Sequence, residues 1–203
     1  MPTVIAGKAK SIKLKTLRGL DTRPTAARVK EAVFSSLDSR YAFDWSALAV
    51  LDLFAGSGQL AIEALSRGAA RAVICDASWQ ARSVILDNLT RTSLGDSAQV
   101  HTMKAARLLE RLASQEQRFD LVFIDPPYDR AREMWDELEP LLPPVLNPGA
   151  VLVLEQAAGQ TFEPNVTELK QFRRCQYGTT MILFLEYSIV GVQDGDLGIS
   201  GQF

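Results

Sequence analysis

Apolar positions along this chain follow two regimes. From Leu48 onward, short and nearly continuous apolar runs alternate with stretches whose apolar residues fall three and four apart. The runs at about 48–54, 71–76, 98–102, 120–125 and 150–156 read as strands buried on both faces, and the stretches at about 58–67, 78–93, 104–114 and 130–142 as amphipathic helices. Such alternation predicts an α/β fold, a mostly parallel sheet with helices on both faces. Two further strands, about 169–176 and 179–187, meet at Tyr177-Gly178, a tight antiparallel turn.

Ahead of Leu48 the pattern changes. Thr3–Ala6 and Lys10–Leu17 alternate apolar with polar residues and predict a two-stranded hairpin with Gly7 near its turn. Lys13 and Lys15 interleave with Ile12 and Leu14, so one face can pack while the other carries charge. Thr22-Arg23-Pro24-Thr25 then starts a helix, with Thr25 as N-cap and Val29, Val33, Phe34 and Leu37 as its apolar stripe. After Tyr187, residues 188–203 hold four glycines and two aspartates with little periodicity and read as a loose tail. The expected division is an extension at 1–40, a main domain at 41–187 and the tail at 188–203.

Composition narrows the class without naming a function. The 203 residues suit one domain with a small appendage, and 47% hydrophobic with 23% charged residues is ordinary for a water-soluble domain. Met1–Lys10 lacks the apolar core of a signal peptide, and no apolar run approaches the ~18 residues that span a bilayer. Cys75 and Cys175 lie far apart in strands and fit buried thiols of a reducing cytoplasm, while His101 alone cannot form a ligand cluster. Trp45, Trp79 and Trp135 fall at element edges and read as packing residues. Charge is more telling, because its distribution is uneven. Residues 1–30 carry eight lysines and arginines against Asp21, a net of +7, which leaves −9 for the remainder of a chain whose total is −2. A basic arm for a phosphate backbone has that asymmetry. Its candidate contacts are Lys8, Lys10, Lys13, Lys15, Arg23, Thr25 and Arg28. Arg23 has a second reading, as a brace for the loop before its helix.

Two motifs carry the chemistry. The strand at 48–54 runs through Asp52, Leu53, Phe54 and Ala55 into Gly56-Ser57-Gly58, and a helix follows. Glycines there let a ligand approach the backbone at a helix N-terminus, the expected binding crevice of an open α/β sheet. Asp76, with Ala77 after it, ends the next strand and can accept both hydroxyls of a ribose. Gly56-x-Gly58-x-x-Ala61 with Asp76 fits a nicotinamide dinucleotide as well as S-adenosylmethionine. Asp52 tilts the choice toward the latter, whose amino-acid tail is cationic. The second motif, Asp125-Pro126-Pro127-Tyr128, follows the apolar run Leu121–Ile124. Its prolines hold the backbone rigid, and it offers a carboxylate, a carbonyl without a local partner and a ring. Those three groups clamp a planar amine, for which hydride transfer has no use.

In these motifs the chain resembles the amino-group methyltransferases of the Rossmann-like, S-adenosylmethionine-dependent class. More narrowly, it resembles the bacterial enzymes that methylate the guanine 2-amino group in small-subunit (16S) ribosomal RNA. Ile5-Ala6-Gly7-Lys8, Thr22–Thr25 with Arg28–Glu31, Glu63–Ala69 and Tyr177–Thr180 carry the narrower likeness, which is collinear from about Val4 to Tyr187. The resemblance implies a seven-stranded sheet, S-adenosyl-L-methionine as methyl donor, and ribosomal RNA or the assembling small subunit as partner, with the protein a cytoplasmic monomer. It implies a flipped base stacked on Tyr128, its amine held by the Asp125 carboxylate and the Pro126 carbonyl. The chain departs from the family at Lys104, where an acid that reads the adenine amine is expected, and at Ser35, where relatives carry asparagine. With lysine a donor only, the backbone of Lys104 and Ala105 is left to read the adenine. Two rival readings stay open: adenine 6-amino methylation, and an RNA-binding assembly factor without turnover.

Overall fold

The computed structural model describes residues 1–17, 24–160 and 164–188, with the side chains of 24–26 excepted. Its strands and helices alternate in sequence: α1 Pro24–Arg40, β1 Ala49–Asp52, α2 Gln59–Arg67, β2 Arg71–Asp76, α3 Trp79–Thr92, β3 Ala98–Thr102, α4 Ala105–Ser114, β4 Phe119–Ile124, α5 Ala131–Leu138, β5 Leu146–Ala157, β6 Leu169–Tyr177 and β7 Thr180–Tyr187. They form one seven-stranded sheet in the order β3-β2-β1-β4-β5-β7-β6. The first five strands of that order are parallel, and β7 runs antiparallel between β5 and β6. This is the seven-stranded, mostly parallel α/β sheet that the family resemblance implies.

Strand side chains alternate between two cores. Leu51, Val73, Val122 and Leu152 pack with Leu108, Leu112, Trp135 and Leu138 of α4 and α5. Val50, Ile74, Phe123 and Val153 pack with Val33 and Phe34 of α1, Ile62 of α2 and Ile85 of α3 on the opposite face. The chain order reverses between β1 and β4, which opens a crevice at the C-terminal ends of these strands.

The N-terminal arm differs from its expected hairpin. One isolated antiparallel bridge, Thr3 to Lys13, stands in place of two strands. Three backbone bonds still cross the hairpin, from the Val4, Ser11 and Leu14 N–H groups to the Ile12, Val4 and Pro2 carbonyls (3.0, 2.9 and 2.8 Å), but past Val4 the backbone is drawn elsewhere. Ile5 and Ala6 donate their N–H groups to the two Glu63 oxygens (2.8 and 3.0 Å), Lys8 donates to the Ser66 carbonyl (2.7 Å), and Ala9 to Ser66 Oγ (2.9 Å). The arm therefore lies along α2. At Gly7 (φ 81°) a Cβ would come 1.7 Å from the Ser66 carbonyl oxygen, so glycine alone fits. Val4, Ala9 and Leu14 are buried in the same core as α1, α2 and α3. Lys30, counted above with the basic arm, is also buried, its Nζ 3.2 Å from Glu63 and 2.8 Å from the Thr3 carbonyl.

Three other expectations shift. The first helix starts at Pro24, so Thr25 lies inside it and is no N-cap; proline suits a first position, where its missing N–H breaks no helical bond. The helix expected at 130–142 stops at Leu138 and continues as 3₁₀ turns at 139–141 and 143–145, because Pro140, Pro143 and Pro144 cannot donate. Trp45 and Trp135 are buried as expected, but Trp79, the first residue of α3, is 73% exposed with Arg82 over its ring. The 188–203 tail, past Ser188, and Arg23 lie outside the described residues.

Candidate active site

A cleft of about 680 Å³ opens at the crevice between β1 and β4. Phe54, Ala55, Gly56 and Ser57 line one wall, Asp76 and Ala77 the end of β2, and Lys104 and Ala105 the start of α4. Asp125, Pro126, Pro127 and Tyr128 form the opposite rim. Both sequence motifs thus face one cavity.

Backbone geometry shapes the donor side. Gly58 is the N-cap of α2 in the left-handed region (φ 77°), and the space a Cβ would occupy is bounded by Ile62 and Ile85. Around Gly56 (φ 54°) nothing lies within 4 Å of a built Cβ, so that side is open to a ligand. The Asp76 carboxylate is fixed by the N–H groups of Gly56 and Ser78, both at 2.8 Å. Lys104 caps α4 without a side-chain bond, which leaves the first N–H groups of that helix as donors at the cleft.

Asp52 and Gly58 do not line the cleft. Asp52 is buried beneath the loop, where its Oδ2 accepts weakly from the Ala61 N–H (3.4 Å) and its Oδ1 has no partner. Burial, with a smaller push from Asp76, raises its pKa to about 7 against the pull of the Ala61 N–H. Its position expected beside a cationic tail is therefore one layer below the cavity wall.

On the opposite rim the carboxylates lack such support. Asp125 accepts no hydrogen bond from the described residues, and its pKa is pushed well up by burial and then by the charges of Glu155 and Asp52. The Pro126 carbonyl accepts no backbone hydrogen bond among the described residues. Tyr128 is 37% exposed, and its hydroxyl donates to Glu155 Oε1 (2.7 Å) and lies 3.0 Å from Thr180 Oγ1. Asp125 does not cap the next helix, whose N-cap is Arg130.

The family model described as conserved hypothetical protein 95 matches residues 3–186. The chain belongs to this family. A Bacillus subtilis relative named "Putative rRNA methyltransferase YlbH" is 35% identical over 182 residues, 87% of this chain and 94% of that protein. The Escherichia coli protein named ribosomal RNA small subunit methyltransferase D is 31% identical over 132 residues, 63% of this chain and 60% of its own length. The solved structure of "Putative methyltransferase yhhF from Escherichia coli" superposes with a TM-score of 0.76 at 25% identity, covering 92% of this chain and 98% of that one. The family resemblance read from the motifs is thereby confirmed.

For a family member, the arm's position is informative. Lys8, Lys10 and Lys13 are exposed, Lys15 is exposed but paired with Asp87 (2.9 Å), and Arg28 is exposed on α1. None of them lines the cleft; Thr16 and Leu17 at the end of the described arm do. The side chain of Thr25 lies outside the description. Sequence reasoning missed Glu155, although the signal was present: Val151–Leu154 is an apolar run that ends in an acid, as Leu121–Ile124 ends in Asp125.

Proposed function

We propose that this protein transfers a methyl group from S-adenosyl-L-methionine to the exocyclic 2-amino group of a guanine in small-subunit (16S) ribosomal RNA. The observation that carries the reading is Asp125, a carboxylate without a hydrogen bond among the described residues, set beside the Pro126 carbonyl and the Tyr128 ring on the rim of a glycine-walled cleft. The donor side suits the cofactor: open space at Gly56, a ribose acceptor at Asp76 held by two N–H groups, and free helix donors at Lys104 and Ala105 for adenine ring nitrogens. Bound there, S-adenosylmethionine supplies an electrophilic methyl on a sulfonium.

The protein's own groups do the rest. Tyr128 offers its face to a base taken out of its stack, worth about 1–3 kcal/mol. Asp125 and the Pro126 carbonyl accept the two amine protons and aim the nitrogen lone pair into the cleft. A carboxylate without competing partners is favoured by positive charge nearby, so Asp125 stabilises the nitrogen as it turns cationic. The exposed lysines of the arm meet phosphate. We read the protein as a monomer acting in the cytoplasm; among the described residues no helix is long and apolar enough to cross a membrane.

Incubating the protein with methyl-labelled donor and unmodified small-subunit RNA, free and assembled, tests the reading. Nucleoside digestion should yield N2-methylguanosine. A 6-methyladenosine product would move the reaction to the other base. RNA binding with no label transferred to either form would favour an assembly factor. Calorimetry with NAD as control should show binding of the methyl donor alone.

A further inference from the structure

Glu155 lies where a second edge contact of the base would fall. Ile124 of β4 pairs in register with Leu154 of β5, so Asp125 and Glu155 are the next residues on adjacent parallel strands. Neighbouring strands lie about 4.8 Å apart, and equivalent positions point to the same face. The two acids thus stand side by side, and both line the cleft. Glu155 is held in one orientation by the Tyr128 hydroxyl on Oε1, and its Oε2 has no hydrogen bond among the described residues. It is a fixed acceptor with a free oxygen beside the acid assigned to the amine.

A guanine presents two donors side by side on its Watson–Crick edge, the 2-amino group and the N1–H. An adenine held by its 6-amino group presents N1 as a bare acceptor instead. We infer that Glu155 accepts the N1–H of the guanine whose 2-amino group Asp125 holds, and so selects guanine over bases with an unprotonated N1. The inference rests on the methyl-transfer reading above. Burial pushes the Glu155 carboxyl upward, and the Tyr128 hydroxyl pulls it back toward the ionised form that accepts. An acceptor facing the unprotonated N1 of adenine would bring two lone pairs together, and a polar site left unpaired discriminates strongly.

The probe is 2-aminopurine, which keeps the 2-amino group and lacks the N1–H. Once the methylated guanine is mapped, the same RNA is rebuilt with 2-aminopurine at that position, and kcat/KM is measured for both. Wild type should prefer guanine by about 30-fold or more, the scale of a charged hydrogen bond. Glu155→Ala should bring the ratio within about threefold. Glu155→Gln, of the same shape, should do likewise, because its amide can turn either its oxygen or its nitrogen to N1. Tyr128→Phe keeps the carboxylate but frees it from its hydroxyl partner, and should narrow the ratio only in part. Using ratios cancels the different intrinsic reactivity of the two amines. For variants too slow to assay, equilibrium binding of the two RNAs with S-adenosylhomocysteine present reads the same preference.

An unchanged ratio in both Glu155 variants would overturn the inference. So would a ratio that narrows in Tyr128→Phe, which keeps the carboxylate, as far as it does in Glu155→Ala. Finding no N2-methylguanosine in the mapping step is a different failure, that of the methyl-transfer reading itself, and the inference falls with it.

Discussion

Glu63 is a buried carboxylate and Asp125 a half-buried one on the cleft wall, and the protein treats them in opposite ways. Glu63, on α2, accepts from the Ile5 and Ala6 N–H groups, from Lys30 Nζ and from Arg67 Nε (3.1 Å), while Arg67 also pairs with Asp38. Every lone pair has a donor. Asp125 has a neighbouring acid, Glu155, and no donor among the described residues. Buried polar groups are normally satisfied, and an unsatisfied one needs an explanation. The satisfied acid holds two parts of the chain together; the unsatisfied one, on the cleft wall, is the one proposed to hold a ligand. A lack of partners beside a cleft, rather than burial, separates the two acids.

That contrast can be broken by experiment. Glu63→Ala should destabilise the fold by about 3–5 kcal/mol, since it strands a buried lysine and two N–H groups; a loss below about 1 kcal/mol in urea unfolding would make the network ornamental. Asp125→Ala should instead leave the unfolding midpoint unchanged or raised, and cut kcat by about 100-fold or more with donor affinity intact. Unchanged single-turnover rates would take Asp125 out of the chemistry.

On the donor side, Asp76→Ala should weaken S-adenosylmethionine binding about tenfold by calorimetry, and equal affinity would end its ribose role. Replacing Lys8, Lys10 and Lys13 together by Gln should reduce the salt slope of RNA binding by about 2–3 while the fold survives. Point changes sharpen this better than removing the arm, because Val4, Ala9 and Leu14 are core residues.

A last test concerns Asp52, which lies beneath both regions. Its pKa is raised on folding from 3.8 to about 7, so the native state holds a proton that the unfolded chain releases. The stability this contributes is fully present below the unfolded value and lost as pH rises through about 7. Asp52→Asn should flatten the decline in stability over that window, and an identical pH profile would mean that the carboxylate is already ionised in the fold.

The sheet and its helices were legible because each strand is an apolar run and each helix an apolar stripe, signals local to the segment. The glycine loop and the Asp125 turn were legible for a related reason: proline and glycine state their geometry in the sequence. The arm was legible only in part, since the Ile5 and Ala6 N–H groups choose a side chain 57 or 58 residues away over the facing segment. Asp52 shows a subtler limit. Its place at the end of β1 was readable, but whether it faces the cleft or α2 depends on the alternation of Val50 and Leu51 between the two cores, which only the packed helices decide. Glu155 was overlooked because β5 carries no proline or glycine after its acid to mark it.

The strap formed by residues 1–17 has a consequence for synthesis. Its anchor points are Glu63, Ser66 and Asn88, the last of which also holds the Ser57 carbonyl of the glycine loop. The strap leaves the ribosome before α2 and α3 and has nothing to fasten to until they have followed it. The lysines proposed to meet RNA are thus arrayed only in a chain whose glycine loop is already built, and on the proposed function a half-made protein lacks the assembled grip of the finished one.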